Sequence, residues 1–251
     1  MSVRLEPIFL ANVLLFIKNY RIVELFPFIS KNCQKAMLTL KTNPLMMFES
    51  PQNIVNFFPN INTMVVFSLH YFRENDTLPD TVTAIVVSHV VYDDLTPSEL
   101  RYADRVVEIR NFHAYQDTLD LRVFPRLERL CLFDLPDILS DHKLKKVRIF
   151  LKKDEIDPSQ DLHFDWAEQV VLVTNSEEAF VMTKPLRIPP HVHVFCSDIG
   201  ESVTPEEFYP WPHYNGTITV SDRFGLDQLR AFNEELPIPL RILTFVSRQV
   251  C

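Results

Sequence analysis

Ile61-Asn62-Thr63-Met64-Val65-Val66 sets apolar residues at its first, fourth and sixth places, and this phrase returns down the chain. It recurs at Val82/Ile85/Val87, Leu127/Leu130/Leu132, Leu144/Val147/Ile149 and Leu240/Leu243/Phe245. Looser copies stand at Asp104/Val107/Ile109, Ala167/Val170/Leu172, Pro189/Val192/Val194 and Asn215/Ile218/Val220. Successive copies start 17–26 residues apart. Three apolar side chains on one side of a short extended segment cannot bury themselves. Stacked copies can, as a parallel sheet over one continuous core, which is the logic of a repeat solenoid. The 11–20 residues between copies suit a return by one short helix.

A second signal keeps the same phase. Ser50-Pro51-Gln52-Asn53, Thr96-Pro97-Ser98-Glu99, Asp157-Pro158-Ser159-Gln160 and Thr204-Pro205-Glu206-Glu207 precede the next copy by 8–11 residues. Each pairs an oxygen-bearing cap with proline at the first helical position, where a missing N–H costs nothing. Glu99, Gln160 and Glu207 can bond back to the cap as in a capping box. Phe58-Pro59-Asn60-Ile61 and Phe124-Pro125-Arg126-Leu127 lie 66 residues apart, three periods of 22.

Composition narrows the function classes. The 251 residues are 47% apolar and 23% charged, ordinary for a folded domain. Three glycines in the whole chain cannot build a phosphate-cradling loop or a dinucleotide fingerprint. A net charge of −8 argues against nucleic acid as the partner. The four cysteines are scattered without metal-type spacing, which reads as a reducing compartment. No run reaches the length of a membrane span. Ile8 to Ile17 is apolar, but Asn12 interrupts it and no small-residue cleavage site follows, so an internal helix is expected. These features place the chain in the cytoplasm, with the nucleus as the alternative.

Residues 5–44 stand outside the repeat. Leu10, Val13, Leu14 and Ile17 recur at helical spacing, and Ile22 to Ile29 forms a second stretch that Pro27 is expected to kink or split. A third runs from Ser30, a plausible cap, to Leu40, with Cys33, Ala36, Met37 and Leu40 on one face. Lys41-Thr42-Asn43-Pro44 ends it, because the residue before proline disfavours the helical region.

The repeats resemble leucine-rich repeats in which Val and Ile replace much of the leucine. The ladder asparagine of that family is replaced by Leu69, Val90, Phe112 and Leu135 in the first copies. The three N-terminal helices resemble an F-box. Leu5-Glu6-Pro7-Ile8 falls at its opening, Val13 to Ile17 at its first buried helix, and Ile29-Ser30-Lys31-Asn32-Cys33 at its Val-Ser-Arg-x-Trp segment, with Cys33 for tryptophan. The combination is similar to an expanded amoebal family that joins an F-box-like start to leucine-rich repeats. The resemblance implies an α/β chain: an F-box-like helical head over residues 1–48, then an irregular solenoid of about nine strands over residues 49–251.

It also implies a non-catalytic recognition module, the substrate receptor of a Skp–cullin ubiquitin ligase, with no cofactor. Leu5, Pro7, Ile8, Val13, Ile17 and Ile29 are then the contacts to a Skp adaptor. Arg105, Arg110, Arg129, Lys145, Lys146 and Arg148 lie between apolar positions and form a basic patch on the concave face for a target protein. The alternative is a cytosolic scaffold with no ubiquitin link, whose terminal helices only cap the solenoid. A solvated charged face, partly neutralised by Glu108 and Glu128, is the plain reading of the cations. His191 and His193 share a strand side, but a metal site needs further ligands. Asp93-Asp94 reads as a loop, Glu206-Glu207 as a helix first turn, and Trp166 and Trp211 as core.

Overall fold

The computed structural model describes residues 5–46, 49–92, 95–113, 118–133, 135–151, 164–174, 192–196 and 218–220. They belong to two compact units, Met1–Tyr115 with Asp120–Leu127, and Gln116–Leu119 with Glu128–Cys251. The fold is α/β, with parallel strands that pair with their neighbours in sequence.

In the first unit, helices α1 (Pro7–Leu15), α2 (Tyr20–Ile29) and α3 (Lys31–Thr39) come first. Pro7 opens α1 at a position that needs no N–H, Asn19 caps α2 by accepting from Arg21 N, and Ser30 caps α3 by accepting from Cys33 N. Pro27 sits inside α2 without ending it. The helices pack through Ala11, Leu14, Val23, Phe26, Cys33, Ala36, Met37 and Leu40, all buried. A fourth helix, α4 (Pro51–Phe57), starts at the expected Ser50 cap, which accepts from Asn53 N at 3.3 Å.

Strands β1 (Thr63–Ser68), β2 (Ala84–Val91) and β3 (Val106–His113) come next as parallel neighbours. The second unit repeats the scheme with β5 (Arg129–Leu132), β7 (Lys146–Leu151), β8 (Val170–Thr174), β9 (Val192–Cys196) and β10 (Ile218–Val220), each parallel to the next. Two short strands stand apart, β4 (Thr118–Asp120) paired with β6 (Asp137–Leu139). The sequence pattern missed both, because three residues are too few to show a period.

The apolar phrase fills the core. Ile61, Met64, Val66, Val82, Ile85, Val87, Leu127, Leu130, Leu132, Leu144, Val147 and Ile149 are each at most 3% exposed. The looser copy at Asp104 is corrected by one residue. Val106 is buried in place of Val107, since Ile85 pairs with Val106 while Val86 pairs with Glu108, leaving Val107 as a bulge. Leu69, Val90 and Phe112 are buried too, so the column that would hold ladder asparagines is apolar here. The copies around Pro189, Asn215 and Leu240 lie wholly or partly outside the described residues, as do the caps at Asp157 and Thr204.

One turn precedes the strands repeatedly. Ile61, Val82, Leu127 and Ala167 each donate their N–H to the carbonyl three residues back, on Phe58, Pro79, Phe124 and Phe164. Three of those, Phe58, Phe124 and Phe164, bury their rings. One carbonyl then accepts two consecutive N–H groups from the next copy: Lys41 O from Asn62 and Thr63, Asn62 O from Thr83 and Ala84, Glu128 O from Lys145 and Lys146. Lys41 thus occupies the place of Asn62 one period earlier. The segment expected only to stop α3 is therefore a partial repeat, in which Thr42 bridges to Thr63. Asn43 stands in the column of Met64. Its buried carboxamide accepts from Val65 N at 2.8 Å and donates to Val65 O at 2.7 Å and Pro44 O at 2.8 Å.

The expected helical returns between strands are, among the described residues of this unit, only 3-10 turns: Leu69–Tyr71, Glu99–Arg105 and Leu121–Val123. At Glu99–Arg105 the reason is local. Glu99 does bond back to Thr96 N, at 2.6 Å, as a capping box requires. Tyr102 then leaves helical geometry, and its buried hydroxyl accepts from Leu78 N at 3.2 Å and donates to Asp76 O at 2.9 Å. Satisfying the loop of the preceding copy outweighs one more helical turn.

Asn43→Ala leaves both Val65 backbone groups without their buried partner, so a loss of about 2–6 kcal/mol is expected in urea denaturation, at about 1–3 kcal/mol per orphaned group. Tyr102→Phe orphans Leu78 N–H but leaves Asp76 O its second donor, Arg101 Nη1 at 3.3 Å, so a smaller loss of about 1–2 kcal/mol is expected from the same measurement.

Candidate protein-docking surfaces

Helix α1 has two apolar sides. Ala11 and Leu14 face the head's core. Phe9 and Val13, with Phe16 just past the helix, recur at i, i+4 and i+7 and stand exposed at 57%, 52% and 81%. Helix α2 repeats the arrangement. Val23 and Phe26 point inward, while Ile22, Leu25 and Ile29 form an exposed stripe beside Phe28, itself 82% exposed. Asn32 Nδ2 donates to Leu5 O at 2.9 Å, which holds exposed Leu5 near the α2–α3 corner where Ile29 also lies. Exposed apolar stripes of this kind on a small helical head are what protein–protein sites present.

Of the head residues singled out in the sequence, Leu5, Ile8, Val13 and Ile29 are exposed, and Pro7 and Ile17 are half-buried. Phe9, Phe16, Ile22, Leu25 and Phe28 were missed. A helix such as Pro7–Leu15, apolar nearly all round, gives periodicity nothing to choose between. The available signal was that excess of apolar residues over what a nine-residue helix can bury.

The six cations separate. Arg105 donates to Pro79 O at 3.2 Å and Val82 O at 2.9 Å, and its guanidinium lies 5.5 Å from the Tyr102 ring centroid, so it holds a loop. Arg110 pairs with Glu108 on its own strand at 3.0 Å, and Lys145 with Glu128 at 2.7 Å. Arg129 and Lys146 are exposed register partners on β5 and β7, and half-buried Arg148 follows on the same side of β7.

Three histidines gather near the strand ends of the first unit. His89 lies 5.1 Å from His113 between ring centroids and stacks on Phe67 at 6.1 Å. His70 Nδ1 pairs with the carboxylate of Glu99, which is buried. Burial first, then the nearby His113 and His70, hold the His89 pKa below its ordinary 6.5. Among the described residues no group of three or more His, Cys, Asp or Glu is placed to hold a metal ion, and no helix is long and apolar enough to cross a membrane. Trp166 is half-buried against Phe164. Asp93, Asp94, His191, Glu206, Glu207, Trp211 and the side chain of His193 lie outside the described residues.

Compared with protein-family models, curated proteins and solved structures, the chain finds no match.

With its folded pKa below the unfolded 6.5, His89 takes up a proton more readily in the unfolded chain. Its contribution to stability is complete above that pH and is lost as pH falls through it. The urea midpoint should drop between about pH 7.5 and 5.5, and His89→Phe, which keeps a ring against Phe67, should flatten that slope.

Proposed function

We propose that this chain is a non-catalytic recognition protein that docks a partner through its helical head and holds a target on its sheet. The sharper form of the reading is a substrate receptor of a Skp–cullin ubiquitin ligase. The head is then an F-box-like module for a Skp adaptor, and the stacked phrase continues as a leucine-rich-repeat-like solenoid. The observation that carries it is the pair of outer apolar stripes, built from Ile8, Phe9 and Val13 on α1 with Leu5 and Phe16 flanking it, and from Ile22, Leu25, Phe28 and Ile29 on α2. Exposed rings and branched side chains on rigid helices are efficient anchors, because little side-chain entropy is lost on burial.

The scaffold reading, with the helices as a mere cap, draws support from the Thr42–Thr63 bridge and from Asn60 Nδ2, which donates to Leu38 O at 2.8 Å. The two roles use different residues. The capping contacts come from α3 and the segment after it, whereas the outer stripes belong to α1 and α2. One head can serve both.

Ile8→Asp and Leu25→Asp place charges on the outer stripes. Each is expected to weaken binding of a purified Skp adaptor at least about 100-fold, the range of an interface hot spot, with the thermal midpoint within about 2 °C of the parent. Leu14→Ala, on the inner side, should instead cost about 2–5 kcal/mol of stability. Calorimetry and a denaturant series separate the two. No adaptor binding by the folded parent chain sinks the ligase reading and leaves the scaffold.

A further inference from the structure

The helical head differs in charge from the rest of the chain. Residues 5–46 hold five cations, Lys18, Arg21, Lys31, Lys35 and Lys41, against two acids, Glu6 and Glu24. The head is thus net +3 in a chain of net −8, and the remaining residues carry −11. All five cations are exposed. The ion pairs among the described residues belong to His70, Arg105, Arg110, Arg122 and Lys145, so no carboxylate there neutralises a cation of the head. Three of the cations flank the apolar stripes. Lys18 follows Phe16 and Ile17 past the end of α1. Arg21 stands four residues before Leu25, on the same side of α2. Lys31 follows Ile29 and Ser30 at the α2–α3 corner, to which the bond from Asn32 Nδ2 also holds Leu5. Between these charges Ile8, Leu25, Phe28 and Ile29 are each more than 60% exposed.

Open apolar side chains bordered by unpaired cations suit an anionic partner, either an acidic protein or an anionic bilayer. The residue types favour the bilayer. Protein interfaces are enriched in Tyr, Trp and Arg and depleted in Lys, whereas four of these five cations are lysine and the exposed stripes are Phe, Ile, Leu and Val. Lysine stems can lie along apolar surface while their ammonium groups reach lipid headgroups, and phenylalanine and leucine enter the acyl boundary beneath. A negative membrane surface also attracts the head and repels the acidic remainder of the chain. We infer that the outer side of the head rests on an anionic phospholipid surface, with Ile8, Leu25, Phe28 and Ile29 entering the headgroup–acyl boundary and Lys18, Arg21 and Lys31 meeting lipid phosphates. The contact is peripheral, since no helix among the described residues is long and apolar enough to cross a membrane. The inference goes beyond the recognition reading, and it makes adaptor and bilayer competitors for the same stripes.

The test sediments the full-length chain with phosphatidylcholine vesicles, either pure or with about 30% phosphatidylserine. Binding to the phosphatidylserine vesicles is expected to be at least about tenfold tighter, and to weaken as salt rises. Phe28→Asp should lower that binding at least about tenfold, and Lys18→Glu with Lys31→Glu should abolish the preference for phosphatidylserine. Phe28→Ser, and Lys18→Gln with Lys31→Gln, are milder changes that should act in the same directions, with thermal unfolding showing that the variants are folded. Equal binding to the two vesicles, no binding to either, unchanged binding in the folded variants, or binding to poly-glutamate as tight as to the phosphatidylserine vesicles overturns the inference. The last of these outcomes points to an acidic protein instead. Skp-adaptor binding is measured on the same samples without vesicles. Vesicles bound without adaptor remove the ligase reading and keep this one, and adaptor bound without vesicles does the reverse.

Discussion

A parallel sheet that adds strands one by one must begin with a strand that has no predecessor, and here that strand is β1. Its backbone would leave Val65 N–H and C=O unpaired at a site where Val65 itself is only 7% exposed. The Asn43 carboxamide supplies both bonds, doing with one side chain what a neighbouring strand does with its backbone. An asparagine suits this because it offers a donor and an acceptor side by side, which neither a carboxylate nor an aliphatic residue can do. The register of the first unit's strands descends from this point. Lys41 O takes two N–H groups from the first full copy, and Asn62 O takes two from the second.

The clasp also explains how the head can be both a lid and a contact surface. The residues that close the sheet edge come after α3, at Lys41–Asn43, so α1 and α2 are not needed for it. They bury one side against α3 and keep the other in solvent, at an unfavourable hydration cost of about 25 cal/mol for each Å² of apolar area left open. Among the described residues nothing offsets that cost, and the docking proposed above would remove it.

Much of this architecture can be read directly from the chain, and the exceptions have physical causes. The four tight copies within the described residues identify buried residues correctly, because a first–fourth–sixth spacing matches both the turn before the strand and the alternation within it. The Asp104 copy shifts by one residue because a bulge at Val107 changes which side each residue faces, and a bulge leaves no periodic trace. Asn43 escapes because a polar residue breaks an apolar column just where the column ends. Thr96-Pro97-Ser98-Glu99 announces a helix, yet the segment after it turns into a 3-10 stretch because Tyr102 is drawn to a loop one period away. The exposed stripes of the head are hidden for another reason. When both sides of a helix are apolar, the sequence shows that something is buried but not which side the protein buries by itself. Among the cations, Arg110, Arg129, Lys146 and Arg148 fall on strands, whereas Arg105 ends a 3-10 stretch and Lys145 precedes β7; pairing such as Arg110 with Glu108 and loop-holding such as that of Arg105 depend on neighbours that only the fold brings close.

The strand-to-next-strand pairing has a kinetic consequence. Thr63 meets Ala84 and Val147 meets Val170, so paired residues stand only 21 and 23 positions apart in a chain of 251. That separation is about 0.08–0.09 of the chain length, in the range of helical bundles rather than of sheets built from distant strands. Each strand closes a loop of about the same size as the last, and each closure adds only a small entropic step. Parallel sheets are ordinarily slow to assemble because their partners lie far apart. This one can grow from any internal pair of copies and zip outward, so little of its apolar column has to wait exposed while a remote strand arrives.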